Sequence, residues 1–256
     1  MGYKSRGTLL VLFMAIGAIA APTAEASILT VGPGKMFQTV ASAVAAARDG
    51  DVLQVQAGTY TNDFAFVNKQ ISIVGVGGMA RMVATQNISN GKGIFVTSKN
   101  ITFDHIEFVG AKVADANGAG IRYEGGNLTI RKCYFHDNEN GILAAPVETG
   151  TIVIESSEFA NNGRGDGYTH GIYVNRVASL RVVNSYFHHT KVGHHIKSRA
   201  LQTTIRGNRI DDGEGGTASY NIDLPNGGVS VVAKNNIVQR VTSQHPQLIH
   251  FGGEGA

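Results

Sequence analysis

LTIRKCYF (128–135) returns as IVIESSEF (152–159) and again as LRVVNSYF (180–187); each stretch carries alternating aliphatics and closes on phenylalanine. The same frame extends outward to ITFDHIEF (101–108), TTIRGNRI (203–210) and SVVAKNNI (230–237), so Phe108, Phe135, Phe159, Phe187, Ile210 and Ile237 form one series. A second series keeps step with it: Ile94, Ile121, Ile142, Ile172, Ile196, Ile222 and Ile249, at intervals of 27, 21, 30, 24, 26 and 27 residues. Their mean, about 26, falls within the spacing of about 20–50 residues that marks stacked repeat units. Two strand signals per period predict an all-β solenoid whose chain returns over itself, so that residues one period apart become neighbours.

Successive side chains of a strand face opposite sides. Ile196, Ser198, Leu180, Val182 and Phe187 are therefore expected to point inward, and Lys197 and Arg199 outward. Ser157, Ser185, Asn208 and Asn235 fall at equivalent turn positions, where stacked polar side chains can hydrogen-bond along the axis. Cys133 shares a column with Ile106 and reads as a buried filler. As the chain's one cysteine it forms no intrachain disulfide.

At 256 residues the chain suits one sizeable domain. Residues 1–26 read as a signal peptide: Lys4 and Arg6 make a basic start, Leu9 to Ala20 an apolar run, and Ala24-Glu25-Ala26 a cleavage site before Ser27. The run is too short to span a bilayer, and no other is longer. A secreted or periplasmic location is expected. Removing the leader lowers the formal net charge from +3 to +2, too mild to argue for a nucleic-acid partner. The 33 glycines and 5 prolines suit many tight turns between short strands.

Residues 36–48 (MFQTVASAVAAAR) carry helical spacing, Asp49-Gly50-Asp51 stops them, and VLQVQAGTY (52–60) alternates as a strand. This segment, followed by ISIVGVGG (71–78), resembles the amino-terminal cap and first coils of the pectin-lyase-like superfamily. The resemblance implies a right-handed, single-stranded parallel β-helix with a short capping helix across its open end. The expected organisation is a cap over about 27–51 and coils over 52–251. The chain ends on FGGEGA with no sign of a carboxy-terminal cap, so the end is expected either to pair with another chain or to reflect a truncation.

The residues one place past each isoleucine form an expected outward column: Phe95, Arg122, Leu143, Tyr173, Lys197, Asp223 and His250. Three places past lie Thr97, Glu124, Ala145, Asn175, Arg199, Pro225 and Gly252. Polar and aromatic groups concentrate on the coils at 172, 196 and 222, with His170, His194, His195, Tyr220 and Asn221 entering those strands. The polar segments 160–171 and 211–221 are expected to flank this patch and make a groove for an extended polymer. Among the alternatives, HHTKVGHH (188–195) matches no metal-ligand spacing and no metal site is expected. Calcium, to which Glu124, Asp137 and Asp166 could contribute, has no supporting motif.

Hydrolysis of a glycoside calls for two carboxyl groups flanking the bond. The pectin-hydrolysing relatives carry paired aspartates, then Gly-His-Gly, then Arg-Ile-Lys; here Gly193-His194-His195 and Ile196-Lys197 precede Asp211-Asp212, a different order. β-Elimination on a uronate instead needs a cation at the carboxylate, a base for the C5 proton and an acid for the leaving oxygen. Lyases of this fold are described as using Lys and Arg, and HHIKSRA (194–200) is similar in kind, although its two cations lie on one strand. The expected catalytic set is Lys197 as base, Arg199 lowering its pKa and gripping the carboxylate, and Tyr173, His194 or His195 as acid. His170, Asn175, Tyr220, Asp223 and Asn226 are the expected sugar-binding residues. The reading favours a lyase of an acidic polysaccharide. Its alternatives are a C5 epimerase, a glycoside hydrolase, or a polysaccharide-binding envelope protein without turnover. GHHIKSRA (193–200) and GGTASYNIDLPNGG (215–228) also resemble secreted bacterial β-helix proteins of undefined substrate.

Overall fold

The computed structural model describes residues 1–2, 25–240 and 242–255. The expected signal peptide therefore lies almost wholly outside the described residues. No helix among those described is long and apolar enough to cross a membrane.

The chain winds into an all-β parallel solenoid. Each full coil contributes three short strands, one more than the repeat predicts. The reason lies inside the quoted stretches. ITFDHIEF divides into Ile101–Asp104 and Ile106–Val109, and LTIRKCYF into Leu128–Arg131 and Tyr134–His136. A corner residue in the left-handed region separates each pair: His105 (φ 54°), Lys132 (48°), Ser156 (50°), Asn184 (50°), Gly207 (69°) and Lys234 (57°). A residue of this conformation bends the chain sharply without ending the apolar pattern, so two strands read as one in sequence.

The outer rows run in parallel register. Phe108 pairs with Phe135, Phe135 with Phe159, Phe159 with Phe187, Phe187 with Ile210 and Ile210 with Ile237. The four phenylalanine rings stack at centroid separations of 4.4, 4.7 and 4.5 Å and are fully buried. The isoleucine row is likewise continuous through Ile121, Ile142, Ile172, Ile196, Ile222 and Ile249. Its first member is corrected: Phe95, not Ile94, pairs with Ile121. Phe95 packs against Phe103 and Phe108 at 5.2 and 6.0 Å, so an aromatic ring fills the column where an isoleucine was expected. In consequence Val96 and not Phe95 stands in the outward row, and Thr97 is buried.

Polar ladders brace the turns. Cys133 N–H donates to Ser157 Oγ (3.1 Å), Ser157 N–H to Ser185 Oγ (3.1 Å), Ser185 N–H to Asn208 Oδ1 (2.8 Å) and Asn208 N–H to Asn235 Oδ1 (2.9 Å). Each side chain satisfies a backbone donor that the solenoid buries. Cys133 itself is buried, and burial pushes its thiol up to about 12. A thiol held protonated in this way is no nucleophile.

The helix spans Val40–Ala46, shorter than the 36–48 pattern. Phe37 is drawn out of it by backbone bonds to Thr30 (3.0 Å) and Gly32 (2.8 Å). Its amino end is capped by Thr39 and by Asp63, which accepts from Val40 and Ala41 N–H at 2.6 and 2.9 Å. Lys69 Nζ donates to the carbonyls of Val44 and Ala45 at its other end. These caps satisfy groups a seven-residue helix leaves open, and its Val40, Ala43 and Val44 cover the first coils.

Candidate functional site

Register along the third row of strands places the outward residues Arg122, Leu143, Tyr173, Lys197, Asp223 and His250 side by side. The inward isoleucines are fully buried from Ile121 to Ile222, and that packing fixes the orientation of the residues between them. Arg199 joins the row at the turn, its backbone N–H bound to the Val174 carbonyl at 2.8 Å.

Asp223 is the hub. Lys197 Nζ lies 3.0 Å from its Oδ2, His250 Nδ1 2.8 Å from its Oδ1, and His194 Nε2 3.3 Å from Oδ2. Burial by itself would raise the Asp223 carboxyl; the His250 and Lys197 hydrogen bonds outweigh it and hold the group below its ordinary value. An ionised Asp223 can only accept, so His250 Nδ1 donates to it and the ring's Nε2 is directed away from that carboxylate.

Arg199 donates from Nε to the Tyr173 hydroxyl (3.0 Å), and its two terminal nitrogens contact Asn226 Oδ1 and the Glu254 carboxylate. Burial works against its charge, but the bonds to Glu254 and Tyr173 prevail and raise its pKa. Both cations also sit near the Tyr173 ring, Lys197 at 5.7 Å and Arg199 at 5.9 Å. Asn175, Arg199 and Asn226 line a cavity of about 260 Å³ beside this cluster.

The histidines divide by strand parity and by ladder. Asn140 Oδ1 accepts from His170 N–H (2.9 Å), His170 Nδ1 from His194 N–H (3.1 Å), and His194 Nδ1 from Tyr220 N–H (3.2 Å). The rings stack upward as His170, His194, Tyr220 and His250, with centroids 4.9, 5.3 and 4.8 Å apart. His170 and His194 thus brace the turn and face the site with one edge. Burial, reinforced by His194, Lys197 and Arg199, lowers His170 well below its ordinary value. Burial likewise brings His194 down to about 4, against the opposing pull of Asp223. Neither carries a proton to donate as an imidazolium near neutral pH.

His195 does not join the outward cluster. As the next residue of an extended segment it turns inward, is fully buried, and bonds Asp212 Oδ1 (2.9 Å) and Thr190 Oγ1 (2.8 Å). Asp212 is equally buried, with its other oxygen on Arg240 N–H and Ser243 Oγ, so this pair belongs to the interior. Lys197, expected as the base, holds its Nζ 3.0 Å from Asp223 Oδ2 and 3.9 Å from Glu254 Oε1. The groove differs as well. Segments 160–171 and 211–221 enter the strands beside His170 and Tyr220, whereas the cavity lies past the opposite strand ends, at Asn175, Arg199 and Asn226.

Two residues of the cluster stood outside the expected site set, although His250 was placed in the outward column. His250 follows Ile249 as Lys197 follows Ile196, so the repeat carried the signal. Glu254 lies past the last strand, where no period applies. Glu124, Asp137 and Asp166 are spent on Lys92, His136 and Arg164 respectively. Among the described residues no group of three or more His, Cys, Asp or Glu converges as metal ligands do.

Residues 70–240 match the family described as the right handed beta helix region, and the chain belongs to it. No curated protein matches the sequence. Among solved structures the fold resembles ORF18 of Geobacillus virus E2, with a TM-score of 0.54 at 16% identity over 79% of this chain and 45% of that one. It also resembles a mutant of AlyGC, an alginate lyase of the PL6 family, with a TM-score of 0.54 at 15% identity over 92% of this chain and 41% of that one. The chain spans less than half the length of either, and at these identities the likeness speaks to fold.

Proposed function

We propose that this is a secreted protein that binds an acidic, uronate-containing polysaccharide across the Tyr173–Lys197–Asp223 face and cleaves it by β-elimination. The observation that carries the reading is the pair of cations, Lys197 and Arg199, beside the Tyr173 hydroxyl and an imidazole oriented by Asp223. Leader-like residues 1–26 support export, and the fold of the alginate lyase is compatible with a polymer lying along the coil axis.

In this proposal Arg199 and Lys197 neutralise the uronate carboxylate and stabilise the charge that develops on it as the C5 proton leaves. His250 Nε2 takes that proton, while Asp223 steadies the imidazolium that forms. The C5–H electron pair becomes the C4–C5 double bond and the C4–O bond breaks. Tyr173 protonates the departing oxygen, and Arg199, 3.0 Å from the phenol, stabilises the resulting negative charge. Asn175 and Asn226 bind sugar hydroxyls from the cavity, and Tyr220, stacked between His194 and His250, holds the His250 ring in place.

The test is incubation with a panel of uronate polymers while following the ultraviolet absorbance of unsaturated uronyl ends. Absorbance lost in Arg199→Ala and His250→Ala supports the lyase. New reducing ends without absorbance identify a hydrolase, inverted uronate stereochemistry without scission an epimerase, and retention without product a binding protein.

A further inference from the structure

The segment Gly252–Gly255 crosses the proposed site, and its contacts are those of a ligand. Glu254 sets its carboxylate on Arg199 and stands 3.9 Å from Lys197 Nζ. Its neighbours are anchored too: Gly255 O accepts from Asn226 Nδ2 at 2.6 Å, and Glu254 N–H donates to Pro225 O at 3.0 Å. At Gly253 a Cβ would come within 3.2 Å of His250 Nε2, the atom assigned the proton transfer, so the backbone passes directly over it. Gly252, Gly253 and Gly255 all have φ between 78° and 98°, a region that glycine enters without strain and leaves without a side-chain barrier. Glu254 remains about half exposed (48%), while Arg199 and Lys197 are 21% and 13% exposed.

This arrangement costs the face its excess charge. Lys197 and Arg199 are offset by Asp223 and Glu254, yet the two acids differ. Asp223 is fixed in a strand and buried, whereas Glu254 sits on a glycine-flanked segment at the surface. Only the second can leave.

We infer that Glu254 occupies the place of a substrate carboxylate, and that Gly252–Gly255 is an internal competitor that must be displaced before a uronate can bind. The inference rests on the uronate reading of this face and adds its regulation. A tethered carboxylate competes at high local concentration, but an exposed pair is weak enough for a multivalent polymer to displace. When Glu254 leaves, the face gains positive charge and His250 Nε2 becomes accessible at the same moment.

The experiment is a titration of the purified protein with D-glucuronate, with D-glucose as the neutral control, followed by nuclear magnetic resonance. Glu254→Gln keeps the shape and removes the competing charge, and is expected to tighten glucuronate binding about fivefold. Arg199→Gln removes binding in either background. Glu155→Gln, the same charge change beside Arg131 and Arg181 on another face, leaves the affinity unchanged. Wild-type binding that Glu254→Gln fails to strengthen, or that Glu155→Gln strengthens equally, overturns the competitor while the uronate site stands. Absence of glucuronate binding in both wild type and Glu254→Gln overturns both. Tighter binding without any unsaturated product from the polymers upholds the competitor and removes the lyase.

Discussion

Replacing His194 by asparagine separates its bracing role from its titration. Asn140 already performs the bracing two rungs away on the same ladder, where its Oδ1 accepts from His170 N–H at 2.9 Å, so an asparagine at 194 retains an acceptor for Tyr220 N–H. What disappears is a histidine whose pKa burial brings from 6.5 to about 4 in the folded state, against Asp223 and with the help of Lys197, His245 and His195. A base with a depressed folded pKa binds fewer protons folded than unfolded. Its contribution is therefore present above the unfolded value and is lost as pH falls toward the folded one. The full shift corresponds to about 3 kcal/mol, of which about 2 kcal/mol is lost between pH 7 and pH 5. That window lies above the titration of most unfolded carboxylates, which isolates the histidines. Urea denaturation at pH 7, 6 and 5 reads the effect: wild type loses stability with a slope that includes His194, and His194→Asn loses about 2 kcal/mol less across the window. Equal slopes in the two proteins would refute the assignment of His194 as a buried neutral rung.

Phe159→Ala empties the middle of the ring stack, with partners at 4.7 and 4.5 Å, and is expected to cost about 3–5 kcal/mol by chemical denaturation; Phe251→Ala, at an exposed position, serves as the mild comparison. Asn208→Ala strands Ser185 N–H and the Val182 carbonyl, which Asn208 binds at 2.8 and 3.0 Å, for an expected loss of about 1–3 kcal/mol by the same measurement. Cys133 should resist a thiol reagent in the native protein and react at once in denaturant, because its sulfur is buried and its pKa is pushed up to about 12.

The coil period was legible because a solenoid repeats its packing environment. Phe135, Phe159 and Phe187 occupy chemically identical surroundings, so sequence records the column directly. The three-strand coil was not legible, since Lys132 or Ser156 can adopt the left-handed corner without any compositional mark. Ile94 misled for a related reason: Phe95 fills the same volume, and an adjacent isoleucine at nearly the right spacing imitates the repeat. At the site, parity placed Tyr173, Lys197 and Asp223 on one row. It could not treat the residues entering the strands, and there His194 meets Asp223 while His195 turns to Asp212.

The sequence alone determined the solenoid, its inward and outward rows, its polar ladder and the coils that carry ionisable groups. All of these follow from local alternation repeated at a nearly constant interval. Tertiary structure decided which charges neutralise one another. Lys197 meets Asp223 across a strand pairing, and Arg199 meets Glu254 across 55 residues through a turn that obeys no period. Coulombic partnership depends on distances of a few ångströms, and outside the repeating rows only the folded chain sets those distances.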